Sequence, residues 1–312
     1  MLPDTLKGSV IKSTGSWYRV ITDSGKTVAC KLRGKFRLEG SKATNPLAVG
    51  DRVDISIEDD NGTGIIEGID ERKNHIIRKA TRLSKQTHVI AANIDQAILI
   101  VTLAYPRTST GFIDRFLVTC EAYSIPAAIV FNKYDIIEGS EAEEVLSDFM
   151  QLYRDIGYSC IHTSATKGTN LEAFNDLLKN KTSLLSGHSG TGKSALINAI
   201  EPGLNLKVRP ISRVHRKGKH TTTFAEMFLL SNGGYIIDTP GIKEFGLAGM
   251  EAWEVCHYFP EMRAYFNECR FDNCTHYNEP GCRVKEEVEA GNISISRYEN
   301  YLNMLLGEET RG

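Results

Sequence analysis

The octapeptide "GHSGTGKS", Gly187 through Ser194, fills every position of the Gly-x4-Gly-Lys-Ser phosphate-loop pattern. No other stretch constrains the fold as strongly, because such a loop works only as the turn between an apolar strand and a helix. "TSLLS" ahead of it and "SALINAI" behind it supply both. The glycines let the backbone N–H groups of Gly187, His188, Ser189, Gly190, Thr191 and Gly192 turn inward around phosphates. The helix that follows, opening with Lys193, Ser194 and Ala195, adds its positive N-terminal end. Lys193 is suited to neutralise β- and γ-phosphates, and Ser194 to offer its hydroxyl oxygen to Mg²⁺.

A loop of this kind normally opens a nucleotide-binding domain, yet here it lies past the middle of a 312-residue chain. Ahead of it stands "IPAAIVFNKYD", an apolar strand followed by Asn-Lys-x-Asp. Asp135 can accept two hydrogen bonds from the N1–H and N2–H₂ edge of guanine, and adenine presents no such pair. Lys133 can lie along the base plane and Asn132 can brace neighbouring loops. "TSA" then supplies Ser164 and the Ala165 N–H, the latter for guanine O6. After the phosphate loop, "GGYIIDTPG" places Asp238 to reach Mg²⁺ through a water and the Gly241 N–H to detect a γ-phosphate. The motifs thus run base reader, Ser-Ala, phosphate loop, Asp-x-x-Gly. That is the GTPase set with its ends joined and a new break introduced, which neighbouring termini make tolerable.

Between phosphate loop and Asp-x-x-Gly, the segment from Lys207 to Lys219 carries six Lys or Arg and no acidic residue. A threonine here should close over Mg²⁺ and the γ-phosphate as a switch, and Thr222 is the choice among Thr221, Thr222 and Thr223. Ras-like enzymes orient the attacking water with a glutamine after Asp-x-x-Gly; Ile242 stands there and cannot do so. His220 is the nearest replacement, set against its reading as a solvated residue of a basic loop. Lys193, Thr222 and His220 are therefore the candidate catalytic residues.

Strands alternating with helices from Lys73 onward argue for a parallel α/β sheet over 73–245. The first 72 residues alternate in short strands broken by Gly, Asn and Asp, which predicts a small barrel of the OB type. Trp17, Tyr18, Lys31, Arg33, Lys35, Phe36 and Arg37 within it suit stacking on unpaired bases, or equally a core flanked by solvated cations. Beyond Gly246 the chain reads as mainly helical, and the stripe Tyr298, Tyr301, Leu302, Leu305 predicts packing against its own domain. No apolar run is long enough to span a membrane and the N-terminus lacks a signal-peptide pattern, so a cytoplasmic protein with no membrane partner is expected. A net charge of −2 announces no nucleic-acid partner by itself.

Seven cysteines, an odd number, argue against a disulfide framework. Cys30, Cys120, Cys160 and Cys256 are scattered and read as small apolar core residues. "CRFDNCTHYNEPGC" instead offers Cys269, Cys274, His276 and Cys282, three thiolates and an imidazole suited to tetrahedral Zn²⁺. Four protein ligands leave no open position, which makes the metal structural; His276 disfavours an iron–sulfur site.

Taken together, the strand-rich N-terminus, the permuted GTPase motifs and the Cys/Cys/His/Cys cluster resemble the ribosome small-subunit-dependent GTPase A family (RsgA) over the whole chain. The resemblance implies an N-terminal OB-fold barrel (1–72), a central circularly permuted α/β P-loop GTPase (73–245) and a mainly helical zinc-binding domain (246–312). It implies GTP/GDP, Mg²⁺ and one structural Zn²⁺ as cofactors, with the small ribosomal subunit and its rRNA as partners of a monomeric protein. Hydrolysis stimulated by that subunit, late in its maturation, is the activity implied. An RNA-binding assembly factor whose nucleotide only sets its shape is the alternative.

Overall fold

A computed structural model describes residues 5–34, 46–58, 62–79, 87–206, 225–238 and 250–307. The strands are β1 (Leu6–Ser13), β2 (Tyr18–Thr22), β3 (Thr27–Leu32), β4 (Arg52–Ile57), β5 (Gly64–Ile69), β6 (His75–Lys79) and β7 (Thr87–Ala92). There follow β8 (Gln96–Val101), α1 (Thr110–Ala122), β9 (Ala127–Phe131), α2 (Glu141–Ile156), β10 (Ser159–His162) and α3 (Leu171–Leu178). The phosphate loop separates β11 (Thr182–Ser186) from α4 (Lys193–Ile200), and β12 (Glu226–Leu229), β13 (Tyr235–Asp238), α5 (Arg283–Glu289) and α6 (Ile295–Leu305) are the longer elements that follow. Lys35, Phe36, Arg37, His220, Thr221, Thr222, Thr223, Gly241 and Ile242 lie outside the described residues.

The contacts group the chain into two compact units: residues 1–97, 175–186 and 212–244, and residues 98–174, 187–211 and 245–312. In the first, β1 pairs antiparallel with β2 and β4, β2 with β3, and β4 with β5, while β3 and β5 run parallel. That circuit closes a five-strand barrel of the expected OB type. Alternation along β3 sends Val28, Cys30 and Leu32 inward to meet Val10, Val20, Val53, Ile55 and Ile66. Tyr18 is in this core, 2% exposed, while its neighbour Trp17 stays outside, with the Lys31 ammonium 4.5 Å from its ring centroid. The same unit pairs β11 parallel with β13 and β13 antiparallel with β12. A register shift between Val10 and Lys12 frees the end of β1 to pair Lys12 with Glu226 of β12, and their side chains bond at 2.9 Å.

In the second unit β9 runs parallel to β10, Cys160 beside Ile129. β9 is apolar and almost wholly buried, as a parallel strand covered on both faces must be. Ser109 caps α1 by accepting the Phe112 N–H at 3.3 Å. The α2 face Leu146, Met150 and Tyr153 is buried, and Gly157 at φ 111° ends the helix. Near the C-terminus a second core gathers Phe259, Met262, Cys282, Val284, Ile293 and Tyr301 against Val118 of α1. Tyr298, Leu302 and Leu305 pack onto it, which bears out the expected own-domain stripe. No helix among the described residues is long and apolar enough to cross a membrane.

Candidate functional site

Asn132, 5% exposed at the end of β9, receives a hydrogen bond from each of its neighbours or gives one. Its N–H donates to the Val101 carbonyl at 2.8 Å, its amide nitrogen donates to the Thr191 carbonyl at 2.8 Å, and its side-chain oxygen accepts from the Thr163 hydroxyl at 3.2 Å. One short side chain thereby joins the base-reading turn, the Ser-Ala loop and the phosphate loop. Lys133 takes a left-handed conformation, φ 64°, and its ammonium reaches the Tyr105 carbonyl. Burial pulls its pKa down, with Asp135 opposing. The Ser164 hydroxyl donates to Asp135 and fixes that carboxylate on the turn. Tyr134 donates its N–H to the Thr163 carbonyl at 3.0 Å and lays its ring 4.4 Å from that of His162. Ala165 follows directly, half-buried, on the same loop.

Two glycines of the phosphate loop have no substitute. A Cβ at Gly187 (φ 139°) would lie 2.2 Å from the Ile100 carbonyl oxygen, and one at Gly192 (φ 91°) would lie 2.3 Å from the Asn132 amide. Thr191 is fully buried and donates its hydroxyl to the His188 carbonyl at 2.9 Å. Lys193 bonds the carbonyls of Gly187 and His188 at 2.6 and 2.9 Å, the position from which it can exchange carbonyl partners for phosphate oxygens. Ser194 and Ala195 occupy the first turn of α4, and Ser189, exposed, and Gly190, half-buried, the crest of the loop. Asp238 ends β13 in the first unit, opposite Leu185 in the parallel register, so it terminates the strand beside the one that enters the loop. His220, Thr222 and Gly241 belong to segments outside the described residues.

The Cys/His expectation becomes a cluster. The ligand atoms of Cys269, Cys274, His276 and Cys282 all lie within 4.8 Å of one another. The His276 Nδ1 is 3.6 Å from the Cys269 sulfur and 3.5 Å from that of Cys282. Tetrahedral zinc with ordinary Zn–S and Zn–N lengths requires an S···N separation of about 3.5 Å, so the donor set fits the metal. Burial lowers the His276 pKa and favours the neutral, ligating imidazole. Supporting groups fix the loop: the Thr275 N–H and hydroxyl and the Tyr277 N–H all donate to Glu279. Against a burial effect that raises it, those bonds hold Glu279 down at about 2. From α6, the Tyr298 hydroxyl donates to the His276 carbonyl at 2.6 Å and that of Tyr301 to the Thr275 carbonyl. All seven cysteines are free, and Cys30, Cys120, Cys160 and Cys256 are buried as expected.

Sequence reasoning missed a buried ionic cluster between α6 and α1. Arg297 (1% exposed) donates to Asp114 at 2.6 Å and to Glu261 at 2.7 and 3.1 Å, while Asn300 and Tyr153 also donate to Asp114 at 2.6 and 2.9 Å. Burial pushes Asp114 up and Arg297 works against it. Among the described residues the hydrogen bonds to this carboxyl all come from donors, so the ionised form is the one the geometry satisfies. The signal was present: Asp114 interrupts the apolar face of "GFIDRFLV" one turn before Leu117 and Val118.

Two family models match the chain, the RsgA N-terminal domain over residues 7–66 and the RsgA GTPase over residues 69–248. The small ribosomal subunit biogenesis GTPase RsgA 2 of Bacteroides thetaiotaomicron is 54% identical over 304 residues, 97% of each chain. Among solved structures, YjeQ from Thermotoga maritima is similar with a TM-score of 0.80 and 37% identity, covering 99% of this chain and 100% of that one. YloQ, described as a circularly permuted GTPase, gives 0.77 and 32%, covering 99% and 96%.

Proposed function

Because this chain belongs to the RsgA GTPase family, we propose that it hydrolyses GTP to GDP and phosphate under the control of the small ribosomal subunit, late in that subunit's maturation. The observation that carries this reading is Asn132, whose side chain bonds the phosphate loop and the Ser-Ala loop at once. It makes a single guanine-nucleotide site from motifs whose order in the chain is reversed. The labour divides over three segments: 1–72 as an RNA-contacting barrel, 73–245 as the GTPase, 246–312 as the zinc-binding region.

Asp135 and the Ala165 N–H read guanine, and an adenine base leaves the carboxylate unsatisfied, a mismatch worth about 10⁴-fold. Lys193 leaves the Gly187 and His188 carbonyls to meet the β- and γ-phosphates. Ser194 and Thr222 are the residues that would hold Mg²⁺, with Asp238 as a further acidic candidate; the ion would supply positive charge to the phosphate oxygens. The Gly241 N–H meets the γ-phosphate. His220 orients the water that attacks it, and docking of its basic segment to the subunit brings it into play. Cys269, Cys274, His276 and Cys282 hold one structural Zn²⁺. The exposed Trp17 and Lys31 of the barrel suit rRNA, a base stacking on the indole while the ammonium meets a phosphate. The protein acts as a cytoplasmic monomer with no membrane partner.

GTP hydrolysis measured alone, with purified small subunits and with large subunits as control tests the reading. A rise of tenfold or more that is selective for the small subunit, about 1.4 kcal/mol of barrier lowering, is the expected result. His220→Ala should remove most of that gain. A flat rate would leave a binding factor whose nucleotide only sets its shape.

A further inference from the structure

The phosphate loop rests on an aromatic residue outside every nucleotide motif. Phe112, in the first turn of α1, stacks on His188 with ring centroids 3.9 Å apart and planes inclined by 30°. His188 is the second residue of the loop, and its carbonyl is where the loop is tied. That oxygen accepts the Thr191 N–H at 3.4 Å, the Thr191 hydroxyl at 2.9 Å and the Lys193 ammonium at 2.9 Å. The rotation of residue 188 therefore decides which way one peptide plane faces. In a phosphate cradle the carbonyls must point out so that the N–H groups point in.

The mount is rigid. The Phe112 N–H is held by the Ser109 hydroxyl at 3.3 Å. Two residues further along, Asp114 is fully buried under Arg297, Asn300 and Tyr153. Helix α1 cannot shift or turn without breaking that cluster, so the ring reaches the loop from a fixed support. Gly187 meets β8 at the Ile100 carbonyl, and His188 meets Phe112: the two leading residues of the loop are each seated on a neighbour outside the nucleotide motifs.

From this geometry we infer that Phe112 is a positioning residue for the nucleotide reaction, holding the His188 end of the phosphate loop in its phosphate-accepting shape. The inference rests on the guanine-nucleotide reading above and deepens it. Because the stack acts on the loop before phosphate arrives, its loss weakens GDP and GTP alike. KM should rise with kcat little changed, the pattern of uniform binding.

The test uses the full chain with its metal: GDP affinity and dissociation rate, KM and kcat for GTP, and the thermal midpoint without nucleotide. Phe112→Ala, Phe112→Tyr, His188→Ala and the double alanine variant are compared with wild type. An aromatic pair contributes about two- to tenfold in an equilibrium constant, so either alanine should weaken GDP by that factor. Phe112→Tyr should retain wild-type affinity, and the double variant should be no weaker than either single one. Additive losses, or a Tyr variant as weak as the Ala variant, would overturn the inference. So would unchanged GDP affinity in His188→Ala, which lies on the loop and guards against a Phe112→Ala chain that does not fold. A wild-type chain that binds GDP no better than ADP overturns the guanine-site reading and this inference with it; if wild type binds GDP and Phe112→Ala binds it equally, the inference fails alone.

Discussion

Around the nucleotide loops the side-chain bonds of Asn132 and Ser164 run from one motif to another, whereas around the Cys/His cluster the loop is also held by side chains from far along the chain. Asn132 bonds Thr191 and Thr163, and Ser164 bonds Asp135, every partner being itself part of a motif. The loop carrying His276 instead hangs from Tyr298 and Tyr301, 22 and 26 positions beyond the carbonyls they bond. Loops bonded motif to motif can be recognised from their own letters, even where a residue such as Phe112 also seats them from outside. A site supported from outside hides its scaffold, and its integrity depends on a helix that carries no ligand.

Removing the metal breaks the comparison most severely. Structural zinc contributes about 10 kcal/mol or more to small domains of this type, so chelation under mildly unfolding conditions should melt the C-terminal core. Metal analysis should find one zinc per chain, and Cys274→Ser should lose it. Next in size, Asp135→Asn should weaken GDP by about 10³- to 10⁴-fold with an unchanged thermal midpoint, since the amide offers a donor where the guanine edge also donates. Arg297→Leu leaves Asp114 buried without its cation and should destabilise the chain by about 3–5 kcal/mol in denaturant unfolding. Adding Asp114→Asn should return part of that loss, which sharpens the point that α6 is scaffold rather than ligand. Smallest is Glu279→Gln, which keeps the shape but not the charge of an acceptor for three donors; about 1 kcal/mol is expected, with zinc retained.

The same contrast explains what could be read in advance. "NKYD", "TSA" and "GHSGTGKS" each sit at the end of an apolar strand, because a parallel sheet offers ligand-binding loops only there. Their place at strand ends and the reversed order were therefore legible in the sequence. The barrel was legible too, as alternation in β3 and β4, although Tyr18 went inward and Trp17 outward, a choice set by the phase of β2 in the barrel. Cys269 through Cys282 declared by spacing a cluster that could hold a metal. Phe112, Glu261 and Arg297 declared nothing, since a phenylalanine or an ion pair acquires its role only when distant helices meet. Asp114 alone left a trace, as a carboxylate on an apolar helical face.

The register shift in β1 has a further consequence. Leu6 through Ser9 pair with β4, and past the shift Lys12 pairs with Glu226 of β12. One strand thus serves two partners in succession on the side away from β2. A closed barrel must still let its strands leave the ring, and a departing strand usually bares a row of unpaired amides to any passing chain. Here the overhang is covered as soon as it forms, by a neighbour from the same molecule and by the Lys12–Glu226 ion pair. At this strand the protein offers no template for edge-to-edge aggregation.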